Sequence, residues 1–370
     1  MRRAIGVTFA LTVAFVPQLH GQARVQLQGI ADGELWSTDT NSNLLSRNGG
    51  SVGGLGRLQA WGAVELARGL VFYGLFETRR GAATEYESEF EQYGVRYTAS
   101  PRFVFDAGKI PLPIGTFAAR RFSNRNPLIG APDGYPVQYP YGVLVSGAAK
   151  VLDYRAALVS LPAVHEEYTP EPSQAWRPVI GAGITPFIGV RLGGSYTWGP
   201  YLNDEVSPGL LAQRDWRSYD QRVLSADLAV SVGYAELIAE VGHSSYDVPN
   251  RAEAVEGLTY YAEGKYTFTP RLYVAARLGR NDYPFIQPFT TPGGQFWVAR
   301  KTDFHDEELG LGFRVSAGTL AKVTYRQDHW NVDGGNQAFV RPGGRAFAVQ
   351  LSQSFDVMEW IDRARARGAQ

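Results

Sequence analysis

Leu258–Phe268 (LTYYAEGKYTF) contains the pattern that decides the fold. Every second residue of this stretch is apolar or glycine, and the residues between them are mostly polar or charged. A period of two residues is typical of a β-strand whose two faces have different surroundings. We therefore predict a strand here, with Glu263 and Lys265 on its polar face.

The same alternation recurs from Val25 to Phe355 and predicts about sixteen strands of roughly 8–12 residues, enough to cross a bilayer at a tilt. Short turns and long loops are expected to alternate along the chain, with every long loop at the same end of the barrel. The seventh long loop, for example, is expected between Asn281 and Glu308. A soluble sandwich or propeller does not impose that asymmetry. The predicted fold class is therefore all-β: a transmembrane antiparallel β-barrel with both termini on the short-turn side.

The composition agrees with this class and excludes others. The chain has no cysteine but 42 glycines and 20 tyrosines, so disulfide-stapled secreted domains are excluded. Its formal net charge is zero, and no basic segment indicates a nucleic-acid partner. A mean hydropathy of −0.21 suits a barrel, since only alternate residues of each strand face lipid.

The first residues resemble a leader. Arg2 and Arg3 precede a short apolar segment, and Gly21-Gln22-Ala23 supplies small residues at the expected cleavage position. Residues 1–23 are therefore predicted to be a signal peptide. Residues 24–355 would form the barrel domain, located in the outer membrane of a Gram-negative cell.

Residues 356–370 would follow the last strand as a short periplasmic C-terminal tail. Val357, Trp360 and Ile361 have helical spacing among arginines. The tail is predicted to be either a short helix or a disordered charged end.

The solvent explains why the sheet must close. Hydrocarbon cannot satisfy backbone N–H and C=O groups, so a chain without apolar helices crosses a membrane only as a closed sheet. With about sixteen strands the side chains cannot fill the interior, and an aqueous channel remains. We therefore expect passive diffusion of small hydrophilic solutes through a barrel surrounded by outer-membrane lipid, with no cofactor.

The stretch from Ile110 to Gly142 interrupts the alternation with six prolines, which forbid a regular helix or a central strand. Its aromatic side chains need packing partners, and its arginines need water or anions. A wide aqueous lumen satisfies both, so we predict that this third long loop folds inward. The pore constriction would then contain Lys109, Arg120, Arg121, Arg125 and Asp133.

This predicted constriction has more positive than negative charge, because Asp133 is its sole carboxylate. Guanidinium groups bind carboxylate and phosphate well, so we expect a modest anion preference. The alternative is that the arginines bind wall carboxylates and set only the shape of the loop.

The polar rows of the predicted strands would form the pore wall. Their charges are mixed, which fits either cross-strand ion pairs on a solvated wall or facing rings of opposite sign that screen solutes. The candidate wall residues are Arg57, Arg96, Asp106, Arg155, Arg191, Glu263, Lys265, Arg277, Arg314 and Arg326.

Four segments at the end of the fifth strand and in the third loop form a recognisable series: Asp106-Ala107-Gly108-Lys109, Pro113-Ile114-Gly115, Arg120-Arg121 and Asn126-Pro127-Leu128-Ile129-Gly130. With these segments the third loop resembles that of porins of the phosphate-selective (O and P) type. The resemblance implies a sixteen-stranded barrel, trimeric assembly and long loops in the lumen. Ile114 stands where such proteins commonly have phenylalanine, and their basic ladder is not matched on these strands, so phosphate selectivity is not carried over.

Enzymatic activity is not expected, because the sequence contains no nucleophile elbow and no HExxH motif. His305 and Glu307 would share one face of a strand and could share an ion, but a solvated charged strand end is the better explanation.

Two alternatives to a general pore remain open. One is a solute-specific channel for phosphate, other anions or carbohydrate; the other is a closed structural or adhesion barrel. Aromatic residues near the long-loop ends of strands predict an interfacial girdle, and the carbohydrate alternative is that a few of them line a vestibule and stack on sugar rings. The aromatic residues are Trp198, Tyr201, Trp216, Tyr219, Tyr246, Tyr283, Trp297, Phe304 and Trp330.

Overall fold

A computed structural model of the protein describes residues 24–38, 52–80, 86–132, 138–160, 162, 175–210, 214–291, 294–331 and 344–361. These residues form sixteen antiparallel strands. They are β1 (Val25–Thr38), β2 (Gly53–Ala67), β3 (Leu70–Arg80), β4 (Tyr86–Ser100), β5 (Phe103–Lys109), β6 (Tyr141–Ala149), β7 (Leu152–Val159), β8 (Arg177–Phe187), β9 (Val190–Pro200), β10 (Asp220–Val232), β11 (Ala235–Tyr246), β12 (Val255–Thr269), β13 (Leu272–Thr291), β14 (Gly294–Arg314), β15 (Thr319–Asn331) and β16 (Gly344–Asp356).

Each strand pairs with its neighbours in the chain, and β1 also pairs with β16, so the sheet closes into a barrel. Closure leaves no free sheet edge, as a membrane-spanning sheet requires. The predicted fold class is confirmed, including the strand number and the inward third loop. No helix among the described residues is long and apolar enough to cross a membrane.

The two faces of the strands differ as the alternation predicted. On β16, Phe347 and Val349 are exposed on the outer surface, whereas Ala348 and Gln350 face inward and are buried. On β14, Leu309 is exposed and its neighbour Glu308 is buried. An exposed apolar row outside and a polar row inside are what lipid and a wet lumen require.

The connections at one end of the barrel are turns of two to four residues, as predicted. We call this the turn side and the opposite end the loop side. The prediction that every loop-side connection is long is wrong at two places, because β3 and β4 are separated only by residues 81–85 and β13 and β14 only by residues 292–293. The described residues beside the β3–β4 connection are mostly exposed, whereas Ile286 and Trp297 of the β13–β14 hairpin pack in a buried cluster. Neither hairpin has lipid on one face and a wet lumen on the other at this height, so the alternation that marks a strand in the sequence disappears there.

The third loop leaves the wall at the end of β5. Gly108 has a φ of 139°, and a Cβ at this position would lie 2.3 Å from the Tyr93 carbonyl oxygen. The two arms of the loop pair at its root, where Leu112 N donates to Gln138 O at 3.0 Å. Ile110 and Leu112 then pack on inward-facing valines, and a 3₁₀ turn follows at Phe117–Arg120.

The loop-side aromatic residues do not form the predicted girdle. Most of them pack with aliphatic residues in a buried cluster between the loop after β9 and the tall β13–β14 hairpin, because that hairpin rises high enough to support the loop. The cluster contains Tyr201, Leu202, Val206, Tyr219, Tyr246, Val248, Ile286 and Trp297, with Trp216 packed against it. Trp198 is exposed on the outer face and Phe304 is buried, while the side chains of Tyr283 and Trp330 lie outside the described set.

Short elements complete the described chain. The loop after β9 contains 3₁₀ turns at Asp204–Gly209 and Trp216–Ser218. After β16, residues 357–361 form one helical turn, and the Trp360 ring stacks on Phe355 with a centroid distance of 5.2 Å. The proposed leader, residues 1–23, and the end of the tail, residues 362–370, lie outside the described residues.

Candidate functional site

The third loop crosses the lumen and contacts the wall on opposite sides. Its first arm reaches β11, where the Glu240 carboxylate accepts hydrogen bonds from Thr116 N at 2.9 Å and Thr116 Oγ1 at 2.6 Å. The Tyr261 hydroxyl of β12 donates to the same carboxylate oxygen at 2.7 Å. Arg120 then forms an ion pair with Glu263 of β12.

The next arginine of the loop points to a different part of the wall. Arg121 forms an ion pair with Glu91 of β4 and lies 3.4 Å from Glu77 of β3. Its guanidinium lies 5.0 Å from the ring centroid of Tyr139, a residue of the returning arm. Burial lowers the pKa of the Arg121 guanidinium and raises the pKa of the Tyr139 hydroxyl to about 12.

The loop tip, which we define as residues 122–130, contacts the far wall. The Ser123 hydroxyl donates to Asp32 of β1 at 2.5 Å, and the Asn124 side chain donates to Ser354 of β16 at 3.2 Å. The Tyr273 hydroxyl of β13 donates to the Pro127 carbonyl oxygen at 3.0 Å.

The tip is also bound by two fully buried cations of the wall. Lys322 of β15 donates to three tip carbonyl oxygens, and Arg277 of β13 donates to the Asn126 side-chain oxygen at 3.2 Å. Arg277 is also paired with Glu263 at 2.6 Å and Glu308 at 2.8 Å. Because hydrogen bonds involving charged groups are the stronger ones, these two residues and the Ser123–Asp32 pair are the strongest attachments of the tip.

The five predicted constriction residues therefore have different roles. Arg120 and Arg121 are bound to wall carboxylates, which matches the alternative interpretation of the loop arginines. Arg125 is exposed and donates to the Ala119 carbonyl oxygen at 3.3 Å. Lys109 donates to the Phe90 carbonyl oxygen at 2.8 Å and lies 3.9 Å from Glu89. Asp133 lies outside the described residues.

The predicted wall residues lie on the inward row of their strands, mostly in ion pairs. Arg314 lies at the turn-side rim and contacts the Ala317 carbonyl oxygen at 3.5 Å. Arg155 binds the Gly115 carbonyl oxygen at 3.1 Å and lies 3.8 Å from Asp227. The remaining pairs are Arg57 with Asp32 at 2.8 Å, Arg96 with Asp106 at 2.8 Å, Arg191 with Asp153 at 2.8 Å and also with Asp227, Lys265 with Glu236 at 2.8 Å, and Arg326 with Asp328 at 2.7 Å.

Two cavities lie on opposite sides of the loop. The loop-side cavity has a volume of about 580 Å³, and its charged lining contains both signs in nearly equal number: Arg57, Arg79, Lys109, Arg121 and Lys322 with Glu34, Glu77, Glu89 and Glu91. The turn-side cavity has a volume of about 790 Å³ and is lined by four arginines and two carboxylates: Arg96, Arg125, Arg155 and Arg191 with Asp106 and Asp153. The positive excess therefore lies on the turn side rather than across the whole constriction.

Several residues that position the loop are absent from the predicted set. Asp32 lies beyond the part of β1 that the alternation marks clearly. Glu91 lies at an irregularity in the pairing of β3 with β4, where the register of the two strands shifts. Glu240 and Lys322 are recognisable as polar-row residues, but their contacts with residues more than 100 positions away have no local signal.

The histidines do not form a metal site in the described chain. His305 lies 3.0 Å from Asp303, and His243 lies 3.7 Å from Glu256. No group of three or more potential metal ligands occurs among the described residues.

Comparison with solved structures shows which barrels share this fold. The anion-selective porin from Comamonas acidovorans aligns with 12% identity and a TM-score of 0.60 over 90% of this chain and 100% of that chain. Salmonella typhi OmpF, solved in complex with daunomycin, has 12% identity and a TM-score of 0.60 over 90% and 98% of the two chains. OmpT in its trimer form, an outer membrane protein of Vibrio cholerae, has 10% identity and a TM-score of 0.56 over 90% and 99%.

No protein-family model matches the chain, and neither does any curated protein. At these identities the structural similarity establishes a barrel fold shared with outer-membrane porins. It does not confirm the finer resemblance to the phosphate-selective type.

Proposed function

We propose that the chain is an outer-membrane porin that passes small hydrophilic solutes by passive diffusion. The observation that carries the proposal is the pair of cavities with charged side chains in their lining, one on each side of a loop that spans the lumen of a closed barrel. A barrel with an apolar exterior and a charged interior is suited to conduct water and ions. Diffusion needs only width, water and charge placement, so neither catalysis nor a cofactor is part of the proposed role.

The loop makes this a restrictive pore. It occupies the middle of the lumen and is attached on opposite sides through Thr116, Arg120, Arg121 and Ser123. We therefore expect a smaller conductance than that of a sixteen-stranded barrel without an inserted loop. The fold similarity to OmpT in trimer form supports trimeric assembly as part of the proposal.

Planar-bilayer recording tests the channel. The purified protein, reconstituted from detergent, should produce stepwise increases in current that remain open at low voltage. A closed structural or adhesion barrel would insert without conducting. Linear flux with solute concentration would support a general pore, whereas saturation by phosphate or a sugar would indicate a solute-specific one.

A modest anion preference is the second part of the proposal, and the turn-side cavity is its source. Arg125 has no carboxylate in contact among the described residues, and Arg155 shares Asp227 with Arg191. Arg120 and Arg121 contribute less, because buried carboxylates neutralise them.

Reversal potentials in a salt gradient test this preference. Arg125→Glu should shift the reversal potential toward cation selectivity. Arg79→Glu, a matched change at an exposed loop-side position, should shift it less. A cation-selective wild type would contradict the anion preference. Equal shifts in both variants would contradict its assignment to the turn-side cavity.

A further inference from the structure

Lys322 occupies an unusual environment for a lysine. Its side chain projects inward from β15 and is only 1% exposed. Its ammonium group donates three hydrogen bonds, to the carbonyl oxygens of Ser123 at 2.9 Å, Asn126 at 3.1 Å and Leu128 at 2.9 Å. All three acceptors belong to the loop tip, so the full donor capacity of the ammonium is used on one segment.

The tip is folded so that these carbonyl groups converge. Asn126 N donates to the Phe122 carbonyl oxygen at 2.8 Å, which closes one turn of the chain. The Asn126 side-chain oxygen accepts from Leu128 N at 3.2 Å, and its amide donates to the Gly130 carbonyl oxygen. The tip therefore forms a cup of carbonyl groups around a single buried cation.

The same tip separates the two cavities. Ser123, Asn126 and Leu128 line the loop-side cavity, whereas Asn124 and Arg125 line the turn-side cavity. Movement of the tip away from β15 would therefore widen the passage between the two cavities.

We propose that Lys322 is the positioning residue that holds the loop tip across the lumen and thereby sets the conductance of the pore. The conductance part of this inference depends on the proposed porin function. The attachment part does not, because it concerns only whether the tip stays docked on β15. A neutral apolar side chain at position 322 would leave three buried carbonyl groups without their donor, which favours undocking of the tip.

The matched control is Lys265→Met. Lys265 also projects into the lumen, but it pairs with Glu236 of β11 at 2.8 Å and has no contact with the described part of the tip. Lys322→Met and Lys265→Met thus remove the same charge and the same number of atoms from the lumen, and only the first removes bonds to the loop.

Thiol labelling measures docking independently of conduction. The chain has no native cysteine, so Ser123→Cys introduces a unique thiol at a position that is 2% exposed. In this background Lys322→Met should raise the labelling rate at least about tenfold, because a hydrogen bond to a charged group is worth that factor or more. Lys265→Met should leave the rate within about twofold, since surface-type pairs contribute little. Equal rates in Lys322→Met and the Ser123→Cys parent would overturn the proposal.

Conductance gives the second readout. Lys322→Met should conduct more current per channel than the wild type, and Lys265→Met should not. Cross-linking Asn124→Cys to Ser354→Cys, whose native side chains are 3.2 Å apart, with a short thiol-specific reagent should restore the wild-type conductance in the Lys322→Met background. An unrestored conductance would show that the tip is not the element that moves.

Two further controls keep the test decisive. The heat-dependent mobility shift of the folded barrel on gels shows whether each variant has assembled. If Lys322→Met does not assemble, Lys322→Gln retains two N–H donors and should give intermediate labelling. If the wild type does not conduct while labelling rises in Lys322→Met, the porin function is refuted and the attachment role of Lys322 stands.

Discussion

Arg277 provides the sharpest test of the energetics of the lumen. Its side chain is fully buried, and its guanidinium donates to Glu263 at 2.6 and 3.0 Å and to Glu308 at 2.8 Å. Arg277→Met would leave a buried carboxylate pair facing each other, with Glu263 still paired to Arg120. Removing one partner of a buried ion pair costs about 3–5 kcal/mol, because the remaining charge cannot recover its hydration.

The chain offers a matched control at the same distance but with the opposite burial. Arg79 pairs with Glu87 at 2.7 Å, and the two side chains are 50% and 61% exposed. Solvent screens such a pair, so Arg79→Met should cost less than about 1 kcal/mol. The comparison therefore separates burial from distance as the source of the stabilisation.

Urea unfolding of the reconstituted barrel, followed by tryptophan fluorescence, measures both variants. Arg277→Met should lower the free energy of unfolding by several times the loss in Arg79→Met. The double variant Arg277→Met/Glu308→Gln should recover part of the loss, since one of the two buried carboxylates that faced Arg277 is then neutral. Losses of equal size in the two single variants would refute the argument that burial makes the Arg277 cluster strong.

Three further outcomes follow from the structure. Burial raises the pKa of Tyr139 to about 12 from an ordinary value of 10.0, so docking of the loop is stabilised below pH 10 and loses up to about 2–3 kcal/mol as the pH rises toward 12. Conductance should rise over that range in the wild type. The rise should be smaller in Tyr139→Phe, where the lysine ammonium groups still lose their protons but Tyr139 no longer contributes. Ile286→Ala should make the loop at residues 201–219 sensitive to trypsin, because Ile286 is fully buried in the loop-side cluster and its truncation costs about 2–5 kcal/mol of stability. Phe289→Ala, at an exposed position of the same hairpin, should not increase cleavage. Gly108→Ala should lower the yield of heat-modifiable folded barrel, since its Cβ would lie 2.3 Å from a backbone oxygen, and an unchanged yield would contradict that steric conflict.

The sequence alone determined the barrel. Lipid outside and water inside act on every strand with a period of two residues. The pattern is therefore local and can be recognised in each strand without knowing which strands pair with it. This is why the alternation at Leu258–Phe268 and its repeats predicted about sixteen strands and short turns at one end. The inward third loop was predicted from the stretch that interrupts the alternation, with its prolines, aromatic residues and arginines. Where a strand extends beyond the bilayer and packs against another loop, as the β13–β14 hairpin does through Ile286 and Trp297, the contrast is absent and the prediction failed.

Only the tertiary structure decided which charges are available in the pore. Arg120, Arg121 and Arg125 are similar in sequence, yet two of them bind buried carboxylates and the third faces a cavity. Likewise, nothing near Lys322 in the chain indicates that its ammonium binds three carbonyl groups of a loop almost 200 residues away. These contacts depend on the position of strands around a closed ring, which is a property of the whole barrel and not of any local pattern.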